Sequence, residues 1–452
     1  MFFKTLIFYL LIFQILAAQE IITEYLVNNN DTIDIFSYQI PSNYNQNNSH
    51  PLLVAFHQWG GNHNSTYSTN FDEEANNRGW FFLSPFGGAE NNYNNQNMQN
   101  MVENEIKWLI ENYSINKNKI YMVGGSMGGA AGSIYSNNHL DPNNPMIAAT
   151  ASASGILDCE RRYYEMDGNN SMIEWFGGTP EEVPFEYHRN STVFFYDSLQ
   201  SMHYNLKYLP IYLDFGSTEA HRYHAEDLYD ILLDYNEHVW IDTVPSGGHG
   251  YSVIDEYHAC NWLSQFSLYT NPEYLNVNLD EVSRAYWFMA LNHNIPNQFI
   301  RFEGSQILDS LIINQLSNTD SIKIFIYENN PIEIKININL NIAFNLNLES
   351  NSFYHIDNFN LMSSGGPSTN TIFLQNNTIL INDLNQDNYL LLINYFEDIN
   401  LDGIWDINDL IFSIQYILSY NNFIELQILN ADLNNDSKID IFDIIIMLNL
   451  II

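Results

Sequence analysis

The run Gly124-Gly125-Ser126-Met127-Gly128-Gly129 sets a serine between glycines two residues away on either side. It directly follows the apolar stretch Ile120–Val123 and directly precedes the small-residue stretch Ala130–Tyr135. A serine on a sharp strand-to-helix turn takes a strained backbone, so its neighbours must be small and its hydroxyl stands exposed above the strand ends. The helix that starts there aims free backbone N–H groups and a positive dipole end at the point where an oxyanion would form, with the Met127 N–H as one donor. A hydroxyl is a poor nucleophile at neutral pH, so a histidine must take its proton and an acid must orient that histidine. In this context the chain order is serine, acid, histidine.

His249 meets that order. It lies in Pro245-Ser246-Gly247-Gly248-His249-Gly250, just after the run Val239–Val244, on a glycine-rich loop that can carry an imidazole over the strand ends. His221, His224, His238 and His258 compete; the first two fall at what reads as a solvated helix start and the last on a later helix, which suits surface histidines. Glu219, three residues past the Gly216 that ends the run Leu209–Phe215, is the expected acid, with Asp214 inside that run as its main rival and Asp227 further behind. A second oxyanion donor is expected from His57-Gln58-Trp59-Gly60-Gly61 after Leu52–Phe56, through the backbone N–H of Gln58 or Trp59. His57 would brace that turn, and Trp59 would pack either on substrate or at the edge of a core.

A second chemistry lies near the C-terminus. Asp398, Asn400, Asp402, Asp406 and Asp409 repeat as Asp432, Asn434, Asp436, Asp440 and Asp443, each set preceding an apolar stretch. Oxygen side chains at loop positions 1, 3, 5, 9 and 12, with the carbonyls of Ile404 and Lys438 at position 7, form the donor set a calcium ion takes. Gly403 supplies the tight turn at position 6, where the second copy has Ser437.

These groups need elements to hold them. Short apolar runs at Ile33–Ile40, Leu52–His57, Phe81–Pro85, Lys119–Gly124, Ala148–Ser152, Leu209–Phe215 and Val239–Val244 alternate with helical stretches, the pattern of a parallel sheet flanked by helices. Met98–Tyr113, with Met101, Ile106, Leu109 and Ile110 at helical spacing, is the clearest helix. After about Asn271 the period changes to two, in Asp320–Tyr327, Ile332–Ile338 and Ile342–Leu348, as in a β-sandwich-like module. Its joints at Gln375–Thr378 and Asn382–Asn388 read as turns and Ser363–Ser368 as a flexible loop.

The chain of 452 residues exceeds one ordinary core, so two or three domains are expected. A net charge of −38, from 53 acidic against 15 basic residues, argues against nucleic acid and anionic lipid as partners. Hydrophobic residues at 46% supply ample core material. Residues 1–18 read as a secretory signal, with Lys4, the apolar Leu6–Leu16 and a small-residue cleavage site at Ala17-Ala18; the apolar run falls short of the roughly 20 residues of a membrane span. An uncleaved anchor is the alternative, and no later segment reads as a span. Export admits a Cys159–Cys260 disulfide, which is expected over two free buried thiols.

On the serine elbow, the His57 loop, Leu213-Asp-Phe-Gly-Ser-Thr-Glu219 and Gly-Gly-His249-Gly, residues 21–269 resemble exported esterases of the α/β-hydrolase superfamily, including feruloyl esterases and polyhydroxybutyrate-depolymerase-like enzymes, and more distantly prolyl-oligopeptidase-type hydrolases. The resemblance implies carboxylic-ester hydrolysis through an acyl-enzyme, with no metal in catalysis. This chain departs from it in lacking the glycine that usually follows the histidine at position 57 and in having Glu for the commoner Asp as acid. The two acidic loops, each with Asp at position 12 and no preceding helix, resemble type I dockerin modules. That resemblance implies two bound Ca²⁺ and docking to a cohesin-type partner, although Ile407-Asn408 and Ile441-Phe442 differ from the small hydroxyl residues familiar in cellulosomal forms. The expected organisation is a signal peptide (1–18), an α/β-hydrolase domain (19–270), a β-rich accessory domain (271–387) and a small α-helical calcium-binding module (388–452). The alternatives to a secreted esterase are a prolyl-oligopeptidase-type peptidase and an inactive binding scaffold.

Overall fold

The computed structural model describes residues 20–28, 31–168, 171–245, 247–307, 310–326, 333–336, 344–349, 356–363, 366–367, 372–375, 378–381, 389–395, 399–400, 406–423, 427–428, 431–434 and 436–451. The expected signal segment lies outside these residues.

Strands β1 (Ile22–Asn28), β2 (Asp31–Gln39), β3 (His50–Phe56), β4 (Phe81–Pro85), β5 (Ile115–Gly125), β6 (Ala149–Ala153), β7 (Ile211–Gly216) and β8 (Val239–Val244) form one sheet in the order β1-β2-β4-β3-β5-β6-β7-β8. The strands from β4 through β3 to β8 pair in parallel, while β1 and β2 join antiparallel at one edge. This is an α/β-hydrolase-like mixed sheet. The central strand β3 shows why. Leu52, Val54 and Phe56 point into one core while Leu53 and Ala55 point into the other, so the period of two buries both faces and the sequence reads as one apolar run.

Helices close both faces. On the first lie α2 (Gln96–Asn112), through Val102, Ile106 and Leu109, and α7 (Arg222–Leu232), through Ala225, Leu228 and Leu232. The Asn95 side chain caps α2 by accepting the Met98 N–H at 3.0 Å. On the second lie α1 (Phe71–Asn77), through Phe71 and Ala75, and α8 (Glu256–Leu263), through Ala259, Cys260 and Leu263. Each buried Val, Leu, Ile or Phe among them contributes about 1.5–3 kcal/mol, which outweighs the weak helix propensity of the Asn residues in α1 and α2. Helix α3 (Ala131–Asn138) follows the serine turn, and an insertion between β6 and β7 carries α4 (Cys159–Glu165), α5 (Met172–Phe176) and α6 (Pro184–Arg189).

Beyond residue 270 the chain is β-rich. One sheet contains Arg284–Ala285, Phe288–Ala290, Ser321–Phe325, Phe344–Glu349, Thr378–Ile381 and Ile372–Gln375; the other contains Tyr274–Leu279, Ile300–Ile307, Ser310–Ser317, Glu333–Ile336, Tyr389–Tyr395, Ile356–Ser363 and Gly366–Pro367. Both sheets feed one core, in which Phe288 of the first stacks on Phe302 of the second at 3.9 Å. Leu140 and Met146, from beyond α3, enter the same core, and Arg189 of α6 donates to Asp280 at 2.7 Å, so the β-rich part is fastened to the first sheet's layers. Within the stretch expected as a loop at Ser363–Ser368, Gly366 and Pro367 instead pair antiparallel with Ser363 and Met362. The Asn382–Asn388 joint lies outside the described residues.

The expected disulfide is absent: Cys159 and Cys260 are both free and buried. Cys159 packs with Tyr93, Met127, Met172, Phe176 and Tyr187 under the insertion, whereas Cys260 packs in the α1–α8 layer, so the two thiols belong to different cores. Burial pushes both thiols up to about 12. Among the described residues no helix is long and apolar enough to cross a membrane.

Candidate active site

Ser126 sits where β5 ends and a single 3-10 turn, Ser126–Ala130, begins. Its φ of +56° is the left-handed conformation that a side chain resists, a local cost of about 1–3 kcal/mol that the surrounding packing must hold in place. The flanking glycines are steric necessities. A Cβ on Gly124 would collide with the Gly128 carbonyl, and one on Gly128 would stand 2.5 Å from the His57 oxygen and 2.8 Å from the Phe56 oxygen. The turn is thus wedged against the end of β3.

His249 Nε2 lies 2.7 Å from Ser126 Oγ, and His249 Nδ1 lies 2.9 Å from Glu219 Oε2. A carboxylate only accepts, so Nδ1 carries the hydrogen and Nε2 presents its lone pair to the serine hydroxyl. Glu219 is buried at 8% exposure, and its backbone N–H closes a turn onto Gly216 O at 3.0 Å, which sets the carboxylate just past β7. Ser126, His249 and Glu219 are therefore brought together in hydrogen-bonded series, from the ends of β5, β8 and β7.

Asp214, weighed as the acid, is elsewhere. Its Oδ2 accepts from the Tyr212 hydroxyl at 3.1 Å, and burial pushes its carboxyl up to about 6. Asp227 pairs instead with Arg161 at 2.7 Å.

The loop after β3 abuts the serine turn. His57 is buried and braces it, with Nδ1 2.8 Å from Gln58 O and Nε2 2.9 Å from Phe86 O. The Gln58 side chain accepts the Tyr251 N–H at 3.1 Å, and the Tyr251 hydroxyl donates to Phe56 O at 2.7 Å, so this loop and the His249 loop are fastened to each other. Met127 is second in the 3-10 turn, where the leading N–H groups have no partner within the helix, and its carbonyl accepts from Asn94 Nδ2 at 2.8 Å. Between the two loops is an open cleft of about 420 Å³ lined by Gln58, Trp59, Ser65, Thr69, Tyr251 and Glu256, among others. Ser126 is not in its lining; the cleft flanks the triad, sharing a wall with Ser252, whose hydroxyl donates to His249 O at 3.0 Å. Trp59 is 57% exposed at this cleft rather than packed in a core.

The sequence misplaces two histidines. His224 is fully buried, and its Nδ1 accepts the N–H groups of Leu157 and Asp158 at 3.1 and 3.3 Å. His221 lies beside the triad, its ring 5.6 Å from that of His249 at 70°. Glu165 of α4 gathers both: its Oε2 is 3.0 Å from His221 Nδ1 and 3.5 Å from His224 Nε2, with Arg162 Nη1 at 3.4 Å. The insertion carrying α4 covers these histidines, a long-range contact with no local signal.

In the C-terminal tail, α9 (Ile407–Ile417) and α10 (Ile441–Ile451) pack on a small core of Ile399, Leu410, Ala431, Ile444 and Met447. The two copies bond alike. Asp409 accepts the N–H groups of Ile399, Asn400 and Asp406, and Asp443 those of Leu433, Asn434 and Asp440, the counterpart positions. Asp432 accepts the N–H groups of Asp436 and Ser437 at 3.0 and 2.7 Å, and Ser437 takes φ +65°, the turn that position 6 of a calcium loop demands. The side chains at these positions offer oxygen donors only, the chemistry a calcium loop uses. Asp398, Asp402 and Ile404 lie outside the described residues, and among the described residues no three His, Cys, Asp or Glu side chains converge on a metal position.

No protein family and no curated protein matches the chain. Among solved structures it is similar to a fluorophosphonate-binding serine hydrolase of Staphylococcus aureus, at 13% identity and a TM-score of 0.41 over 54% of this chain and 98% of that one. It is similar to an acetyl xylan esterase from Aspergillus awamori, at 14% identity and a TM-score of 0.39 over 55% and 99% of the two chains. It is also similar to an acylaminoacyl peptidase of Pyrococcus horikoshii, at 15% identity and a TM-score of 0.43 over 55% of this chain and 41% of that one.

Proposed function

We propose that the chain is a secreted serine esterase that hydrolyses carboxylic esters, with polysaccharide-linked acyl or feruloyl groups and related small esters as its substrate class. The observation that carries this is the series Glu219–His249–Ser126, at 2.9 and 2.7 Å, on a strained serine turn. Ser126 Oγ attacks the ester carbonyl carbon as His249 Nε2 takes its proton, and Glu219 stabilises the imidazolium that results. The N–H groups of Met127 and Gln58 receive the negative charge on the carbonyl oxygen. Collapse breaks the bond to the alcohol oxygen, which takes the proton from His249, and the acyl group stays on Ser126. Water, deprotonated by His249 in turn, then releases the carboxylic acid and restores the serine. The cleft beside His249 suits the leaving alcohol, because its wall includes residues that follow the histidine.

In this proposal residues 271–387 form an accessory domain and residues 388–452 a dockerin-like module for a cohesin-type partner. Asp398, Asn400, Asp402, Asp406 and Asp409, with the Ile404 carbonyl, would hold one Ca²⁺. Asp432, Asn434, Asp436, Asp440 and Asp443, with the Lys438 carbonyl, would hold the other. Bound calcium neutralises these carboxylates and stabilises the two loops.

The test is hydrolysis of p-nitrophenyl acetate and methyl ferulate by the chain lacking residues 1–18, beside Ser126→Ala. Turnover lost in the variant is the expected result; no turnover by the parent, or turnover that survives the substitution, would end the proposal.

A further inference from the structure

We infer that Arg162, Glu165 and His221 are positioning residues for His249, so that helix α4 governs the orientation and charge environment of the general base from outside the triad; this rests on the esterase reading above. His249 needs such support. It stands on a glycine-rich loop with its side chain 39% exposed, held at its two nitrogens by Ser126 and Glu219. The ring packed edge-on against it is that of His221, 5.6 Å away.

His221 is itself fixed. Its Nδ1 lies 3.0 Å from Glu165 Oε2, and Arg162 Nη1 lies against the same ring, 3.0 Å from Nδ1 and 2.7 Å from Nε2. A carboxylate only accepts, so the hydrogen on Nδ1 is the one aimed at Glu165. His224 anchors the arrangement from below: its Nδ1 is spent on the Leu157 and Asp158 N–H groups, which leaves Nε2–H facing Glu165.

Burial pushes the Glu165 carboxyl up, but hydrogen bonds from His221 and His224 outweigh it and hold that carboxyl well below the usual range. Glu165 is thus a fixed negative charge one ring behind His249. The other titratable or charged groups facing the cluster are Tyr93, beside Arg162; Asp158, beside His224; and Arg222, which donates to the Glu219 carbonyl at 3.3 Å.

The test is Glu165→Gln in the full secreted chain, read two ways. By NMR of the histidine ring protons, the His249 titration is expected to move to lower pH, the direction that removing a nearby negative charge gives. By steady-state kinetics on p-nitrophenyl acetate, kcat is expected to fall about tenfold with KM within about twofold, and the acid limb of the pH profile to move to lower pH. Glu165→Asp should restore part of both. If Glu165→Gln does not fold, His221→Phe keeps the ring and cuts the link to α4; a kcat loss there supports the inference, and unchanged kcat overturns it. An unmoved titration with unchanged kcat in folded Glu165→Gln also overturns it. Because the titration needs no turnover, a shifted His249 in a chain without esterase activity sinks the esterase reading while leaving the link from α4 to His249 supported.

Discussion

Gly128→Ala puts the serine turn under a load whose size can be worked from the structure. The new methyl would stand 2.5 Å from His57 O, 2.8 Å from Phe56 O and 2.9 Å from Phe56 Cβ, two of them backbone atoms that cannot swing aside. Ordinary contact is about 3.5 Å, so the serine turn and the end of β3 must part by about 1 Å. Overpacking of this kind costs about 1–3 kcal/mol of stability, which the large two-faced core can absorb. The chemistry is less tolerant. The parting separates the two segments proposed to supply the oxyanion donors, and a misplacement of about 1 Å can cost on the order of 100-fold in rate. The expected outcome is a folded protein, by circular dichroism, whose kcat on p-nitrophenyl acetate is down at least about 100-fold, with the loss in kcat rather than KM. A folded Gly128→Ala enzyme within about threefold of the parent would refute the claim that this close approach builds the site.

Glu219→Gln should lower kcat by about 100- to 10,000-fold with KM little changed, because the amide neither fixes the Nδ1–H tautomer nor stabilises the imidazolium; steady-state kinetics decide it. Asp214 titrates higher in the folded chain, at about 6, than its ordinary 3.8. The native state therefore binds the extra proton in that window, and stability from this group declines as pH rises through it. Asp214→Asn should raise Tm by a few degrees at pH 7.5 and leave it unchanged near pH 3.5, and an equal shift at both would count against the assignment. Both cysteines should alkylate in denaturant without prior reduction, and a mass showing two protected thiols would contradict the free-thiol structure. Calcium should slow amide hydrogen exchange across residues 431–451. Asp443→Ala, which strips three backbone amides of their acceptor, should speed exchange there by about 2–4 kcal/mol of local stability. Exchange indifferent to calcium would remove the ion from the account.

Much of the sheet is legible because its central strands are buried on both faces, although the edge strand β8 is only partly buried. Phe81–Pro85 and Val239–Val244 have the bounds their apolar runs suggest, and β3, β5, β6 and β7 differ by a few residues at their ends. The serine, its histidine and its acid share the ends of such strands, so chain order and glycine spacing suffice to find them. In the β-rich part the sequence hides Tyr274–Leu279 and Ile300–Ile307, among others, because polar side chains such as Asn278 and Arg301 are buried in them. Asn278 is fully buried, accepting from Arg301 at 3.0 Å and donating its own N–H to Asn205 at 2.9 Å, which breaks the apolar alternation. The disulfide expectation fails because compartment says nothing of distance, and the two cysteines serve separate cores. His221 and His224 escape because their partners, Arg162 and Glu165, come from an insertion more than fifty residues earlier.

The central claim is that Ser126 is a nucleophile activated by His249. The direct measurement is treatment of the chain lacking residues 1–18 with a fluorophosphonate, followed by peptide mapping of the adduct. The expected result is a single adduct on the peptide bearing Ser126, absent from Ser126→Ala and strongly slowed in His249→Ala. An unlabelled parent, or an adduct on another residue that persists in both variants, would contradict it.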